Sequence, residues 1–258
     1  SIDVNRAAET GATPVSVAAV NGHAACLPPL LARPDTDVNK ADDENITAIF
    51  LAATYGQSSC LEALLKHSQV DPNEAVEDTT CLMAAIVNDY PAAVDALAQH
   101  PKIDINLQSK KLGASALFLA CLLGRSQCLP PLLAREDVDI NGSGGPGGES
   151  ALHAAVRVGH ADCAMLLLGH KRCNVNLTRM DGASPLFLAA VKGHSRCLAH
   201  LLAAPGIDAN AQNDLGATAV FLSVVHDHPE CLDALLAHKS VDATLADRDG
   251  TTPLEAAE

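Results

Sequence analysis

The chain has 258 residues, 48% of them hydrophobic but only 2% aromatic, with no Trp and a formal net charge of −14. So few large side chains cannot fill the centre of a globular enzyme of this length, and the acidity disfavours nucleic acid and anionic membrane surfaces as partners. No apolar run reaches the roughly 18 residues a membrane-spanning helix needs, and no basic start followed by an apolar segment marks a secretory leader. Because Ser1 is not an initiator Met, a removed leader stays open.

In chain order, a Ser or Thr opens the same short pattern eight times, at Thr13, Thr47, Thr79, Ser115, Ser150, Ser184, Thr218 and Thr252. A period near 34 residues means stacked supersecondary units, each too small to bury its own apolar face. Every opening residue is a good helix N-cap, and Pro14, Pro185 and Pro253 follow it at the first helical position. The first helix then carries a small-residue pair such as Ala18-Ala19, Ala52-Ala53, Ala84-Ala85 or Ala189-Ala190. Nine residues after each opening stand Gly22, Gly56, Asn88, Gly124, Gly159, Gly193 and Asp227. Gly, Asn and Asp are the residues that tolerate a left-handed backbone, so this column predicts the end of the first helix.

A second helix follows, with Cys26, Cys60, Cys128, Cys163, Cys197 and Cys231 thirteen residues after the openings and Ala92 breaking the column. Short extended pieces such as Asp37-Val38-Asn39 and Asp139-Ile140-Asn141 are expected next, then turns that lead to the following unit. Two stretches resist the pattern. Pro28-Pro29 and Pro130-Pro131 fall inside second helices and predict a distorted or delayed first turn. Gly142-Ser143-Gly144-Gly145-Pro146-Gly147-Gly148 replaces a finger tip and is expected to be mobile. Ile2-Asp3-Val4-Asn5 reads as the tail of a preceding unit, and the chain reaches Glu258 one helix into another.

Ser150-Ala151-Leu152-His153-Ala154-Ala155, the Gly-His pairs at 22–23, 159–160 and 193–194, and Val38-Asn39 and Val175-Asn176 together resemble the ankyrin repeat. The resemblance covers residues 1–258 as a single domain. It implies an all-α solenoid of helix-turn-helix units with projecting β-hairpin or loop fingers, in which first helices line a concave face that binds proteins. The family's His survives only as His153, while Phe50, Phe118, Phe187 and Phe221 take its place in other units. The resemblance also implies that finger asparagines such as Asn39 or Asn176 are candidates for hydroxylation.

Candidate chemistry is sparse. Column cysteines in stacked units lie roughly 10 Å apart, too far for a shared metal or a disulfide, so they read as core packing; of Cys81, Cys121 and Cys173, at most one or two are expected to be exposed. His226-Asp227-His228 falls on an inter-helix turn, and the Gly-rich loop is followed by Glu149, of the wrong sign for a phosphate cradle. No catalytic residues, metal or cofactor are assigned. The resemblance implies that the two residues before the left-handed turn face solvent on the concave side, yet Tyr55, Ile86, Val87, Leu122, Leu123 and Val158 make an apolar stripe. Beside it, Asp43 and Glu44, with Asp42, Glu74, Glu77 and Asp78, give acidic fingers. The expected function is noncatalytic binding of a protein that carries apolar anchors and basic flanks, by an intracellular monomer without nucleic-acid or membrane partners. The alternatives are a targeting or regulatory arm of a larger enzyme, and an effector of a parasite or symbiont acting in a host cell.

Overall fold

A computed structural model of the chain describes residues 3–257. Ile2 and Glu258, read above as parts of flanking units, lie outside the described residues. Fourteen α-helices occur among them, arranged as sequential pairs. They fall into two compact units, residues 3–111 with 130–138, and residues 112–129 with 139–257.

In the first unit, the first helices α1 (Pro14–Val20), α3 (Ala48–Thr54) and α5 (Cys81–Val87) pack in succession. The second helices α2 (Leu27–Leu31), α4 (Ser58–Leu65) and α6 (Pro91–Ala98) do the same beside them. The second unit repeats this with α7 (Ala116–Leu122), α9 (Ala151–Val158), α11 (Pro185–Lys192) and α13 (Ala219–Val225) as first helices. Its second helices α10 (Ala161–Leu168), α12 (Ser195–Leu202) and α14 (Pro229–Leu236) pack in order, and α8 (Leu129–Leu133) crosses the boundary between the units. The core is made of thin layers: Ala52, Ala53, Ala120, Ala155 and Ala190 are fully buried between first helices, while Leu61, Leu64, Leu97, Leu167 and Leu201 fill the second layer. Burying each such Leu contributes about 1.5–3 kcal/mol, which is how repeats with so few aromatic residues hold together.

Helix starts follow the predicted caps. Thr13, Ser115, Ser150, Ser184 and Thr218 each accept the backbone N–H three residues on. Thr47 instead donates its hydroxyl to Glu74 Oε2 at 2.6 Å. The third unit is shifted from the predicted frame by one residue. Thr79 belongs to a hairpin, β1 (Ala75–Val76) paired with β2 (Thr79–Thr80), and the cap is Thr80, which accepts from Met83 N. The left-handed residue of that unit is accordingly Asp89 (φ 60°), while Asn88 stays at φ −85° with its side-chain amide on the Ala84 carbonyl. Gly22, Gly56, Gly124, Gly159, Gly193 and Asp227 all have positive φ, as expected. In this frame Ala93, fully buried, occupies the cysteine position.

The two Pro-Pro stretches behave as proline chemistry requires. Each second helix opens with a 3₁₀ turn, Ala24–Cys26 or Ser126–Cys128, and only five α-helical residues follow. The finger pieces depart from expectation. Asp37-Val38-Asn39 and its equivalents are not extended: the Asn backbone N–H turns back onto the Asp carboxylate, at 3.1 Å for Asn39, 2.9 Å for Asn73 and 3.0 Å for Asn106. The Asn side chain then reaches the next repeat. Asn73 donates to Lys102 O (2.9 Å) and accepts from Asp104 N (2.6 Å); Asn176 donates to Gly206 O (2.7 Å) and accepts from Asp208 N (2.9 Å). Asn141 and Asn210 make the same pair of bonds in the second unit. The Gly-rich tip makes specific contacts of its own. Ser143 bridges to Ser150, Gly144 N donates to Glu149 O at 2.8 Å, and a Cβ at Gly144 or Gly145 would stand 2.7 or 2.4 Å from Phe118. The glycines let the backbone lie against the Phe118 ring.

Candidate protein-binding surface

In five repeats the residue after the left-handed position builds a contact to the repeat before. In the first unit, Gln57 covers Gly22 and the Tyr90 ring covers Gly56; in the second, the imidazoles of His160, His194 and His228 cover Gly124, Gly159 and Gly193. His194 Nε2 lies 3.2 Å from Arg157 O and His228 Nε2 lies 3.0 Å from Val191 O. A carbonyl can only accept, so each Nε2 carries its proton and caps the C-terminal end of the neighbouring first helix. This commits His228 to a structural bond although its ring stacks with that of His226. His153 is likewise structural: it is fully buried, forms a capping box with Ser150, and donates from Nε2 to Ala183 O at 3.2 Å. Burial lowers its pKa.

The thiols divide by environment. Cys60, Cys128, Cys163, Cys197 and Cys231 are buried, as the core reading requires, but Cys26 in the first repeat is exposed. Cys81 and Cys121 are fully buried and Cys173 is half-buried, within the sequence expectation that at most one or two of the three are exposed. Burial pushes the Cys173 and Cys197 thiols up to about 11. Desolvation raises the Cys121 thiol well above its ordinary value.

Of the apolar stripe, the first unit retains Tyr55, 53% exposed at the end of α3, and Val87, 44% exposed at the end of α5. Ile86 is corrected out of it, at 0% exposure. The one-residue frame shift puts Ile86 level with Ala53, in the layer between first helices, and leaves Val87-Asn88 as the solvent-facing pair. In the second unit Leu123 and Val158 are exposed at the ends of α7 and α9. Leu122 is half-buried against Phe118 and Ala154 and so contributes little free surface.

The acidic fingers also thin out once their hydrogen bonds are counted. Asp42 Oδ1 accepts the N–H groups of Glu44 and Ile46, closing its own turn. Asp78 accepts from Ser109 Oγ and from the Lys110 and Lys111 backbone N–H groups, which hold its carboxyl down at about 2. Glu74 is half-buried on Thr47, and desolvation raises its pKa. Asp43, Glu44 and Glu77 remain as exposed acids of the first unit.

Sequence reasoning missed a cluster in the second unit. The residue before the N-cap is Ala12, Ile46, Thr79, Ala114, Ala183, Ala217 or Thr251 elsewhere, but Glu149 in the repeat of α9. Glu149 is buried, and its Oε1 accepts from Arg157 Nε at 3.0 Å and from Arg179 Nη1 at 2.8 Å. Arg179 also pairs with Asp181 through Nε and Nη2. One charged residue in an otherwise uncharged column was the available signal. Exposed apolar side chains absent from the predicted site include Leu112, Met180 and Leu215 at finger tips.

No helix among the described residues is long and apolar enough to cross a membrane. The family model described as ankyrin repeats (three copies) matches residues 15–109, 82–179, 117–213 and 186–258. No curated protein matches. Among solved structures, the human ASB11 ankyrin repeat domain is 24% identical, aligns over 90% of this chain and 100% of its own, and superposes with a TM-score of 0.66. With paired helices packed in sequence and the repeat model matched from residue 15 to residue 258, this chain belongs to the ankyrin-repeat family.

Proposed function

We propose that residues 1–258 serve as a noncatalytic, intracellular recognition domain that binds a protein through the exposed ends of its first helices. The observation that carries this reading is the placement of Tyr55 and Val87, large apolar side chains held in solvent at helix ends where a polar residue would cost nothing. Tyr supplies large contact area at low entropic cost and is favoured at binding hot spots. The same unit exposes Asp43, Glu44 and Glu77 on its fingers, so the partner is a segment with apolar anchors and basic flanks. Leu123 and Val158 offer further apolar anchors within the second unit. Nine free cysteines, most of them buried as core packing, suit a reducing compartment.

The test places a photo-crosslinking amino acid at position 55 and, as a control, at the exposed Glu62 of α4, followed by mass spectrometry of crosslinked partners from native extract. A partner captured from position 55 and not from position 62 supports the reading, provided that Tyr55→Glu with an unchanged circular dichroism spectrum abolishes its binding. Equal capture from both positions, or binding undiminished by Tyr55→Glu, would overturn it.

A further inference from the structure

We propose that the second unit contains a carboxylate-binding subsite, built on Arg157, that takes an acidic side chain of a partner next to an apolar residue. It is separate from the acidic surface of the first unit and does not rest on it. Gly147, Glu149, Arg157, Arg179, Met180 and Asp181 line a cleft of ≈ 460 Å³, room for one or two side chains.

The argument starts from an apparent waste. Ala114 and Ala217 fill the pre-cap position in sister repeats at no electrostatic cost, whereas Glu149 puts a carboxylate there and desolvates it. Buried ion pairs contribute little net stability over an apolar replacement. What Glu149 does produce is two guanidinium groups fixed in place along the cleft.

Their remaining valences define the ligand. Each of the three nitrogens of Arg179 is engaged by a carboxylate, Nη1 by Glu149 and Nε and Nη2 by Asp181. The Glu149 oxygens accept from both arginines and are sealed from solvent, so a cation cannot reach them. Asp181 is occupied by Arg179 and by the Ala183 backbone N–H. Arg157 is different. Only its Nε is engaged, its side chain is 34% exposed, and both Nη groups are left as the cleft's unspent donors. A planar guanidinium edge with two parallel N–H groups matches a carboxylate in a bidentate pair. Met180, 85% exposed, stands at the same cleft with its backbone N–H on Gly147 O. Its thioether supplies an adaptable apolar wall for the residue beside the acid. Arg157 and Glu149 thus divide the work: Glu149 is a positioning residue, and Arg157 the contact.

The experiment uses the full chain and the Arg157 side-chain ¹⁵Nε–¹Hε signal. The probes are Ac-Leu-Glu-Leu-NH₂, its Gln analogue, and Ac-Gly-Leu-OH as a terminal-carboxylate arm. A saturable shift with the Glu peptide, weaker by about tenfold for the Gln analogue, is the expected result. Met180→Ser, at an exposed position that cannot threaten folding, should weaken the response. Arg157→Gln, followed through the Met180 backbone amide signal, should abolish binding while Arg179 still pairs with Glu149. An equal response to the Gln analogue, a response confined to Ac-Gly-Leu-OH, or no perturbation of Arg157 by any probe would overturn the assignment.

Discussion

Gly159 offers the sharpest test of how neighbouring repeats are joined. Its φ of +88° is left-handed, and a Cβ there would stand 2.8 Å from His194 Cε1 and 2.9 Å from Nδ1. Gly113 in the same unit is an internal control, because its φ is +65° but nothing lies within 4 Å of a Cβ. Gly113→Ala should therefore cost only the left-handed penalty, about 1–2 kcal/mol. Gly159→Ala pays that penalty and also displaces the imidazole, losing the 3.2 Å bond from His194 Nε2 to Arg157 O, a further loss of about 1 kcal/mol. The total of about 2–3 kcal/mol corresponds to a Tm lowered by roughly 5–10 °C for a chain of this size. Urea unfolding of both variants, alone and with His194→Ala, separates the contributions. With the imidazole gone, Gly159→Ala should cost no more than Gly113→Ala. Equal costs for the two glycine variants in the wild-type background, or no coupling between Gly159 and His194 in the cycle, would refute the stacking argument.

Three further outcomes are expected. Asn176→Ala removes both inter-repeat bonds and should destabilise by about 1–2 kcal/mol, with faster hydrogen exchange at the Asp208 amide as the local readout. The hairpin acids should give opposite pH signatures. Asp78, held at about 2 against an ordinary 3.8, contributes stability above pH 3.8 that is lost as pH falls towards 2, and Asp78→Asn should erase that loss. Glu74, raised from 4.5 by burial, instead penalises the fold once pH rises through its folded pKa, so Glu74→Gln should flatten that arm of the stability curve. Native alkylation should modify Cys26 first and Cys173 slowly, while Cys60, Cys163, Cys197 and Cys231 react only on unfolding; rapid labelling of the column by intact-mass measurement would contradict the packing.

What the sequence revealed and what it hid divide along physical lines. Caps and left-handed turns are local, so Ser184-Pro185 and Gly193 could be read one residue at a time. The third repeat misled because Thr79 and Thr80 are chemically identical caps and Asn88 and Asp89 both accept positive φ. Only the hairpin pairing of Ala75 with Thr80 decides between them, and that error moved Ile86 from core to surface. Val175-Asn176 was visible as a motif, but the bonding partners of Asn176 are backbone groups 30 and 32 residues away, which no side-chain pattern announces. Glu149 was read by its sign alone, since the arginines that meet it lie 8 and 30 residues further along the chain.

The asparagine bridges have a consequence for how such an array changes over generations. Asn73 and Asn176 address only peptide groups in the next repeat, never a side chain. A repeat can therefore be duplicated, deleted or shuffled without redesigning its joint. Codons for the outward-facing positions stay free to drift towards new quarry while the splice itself goes on working.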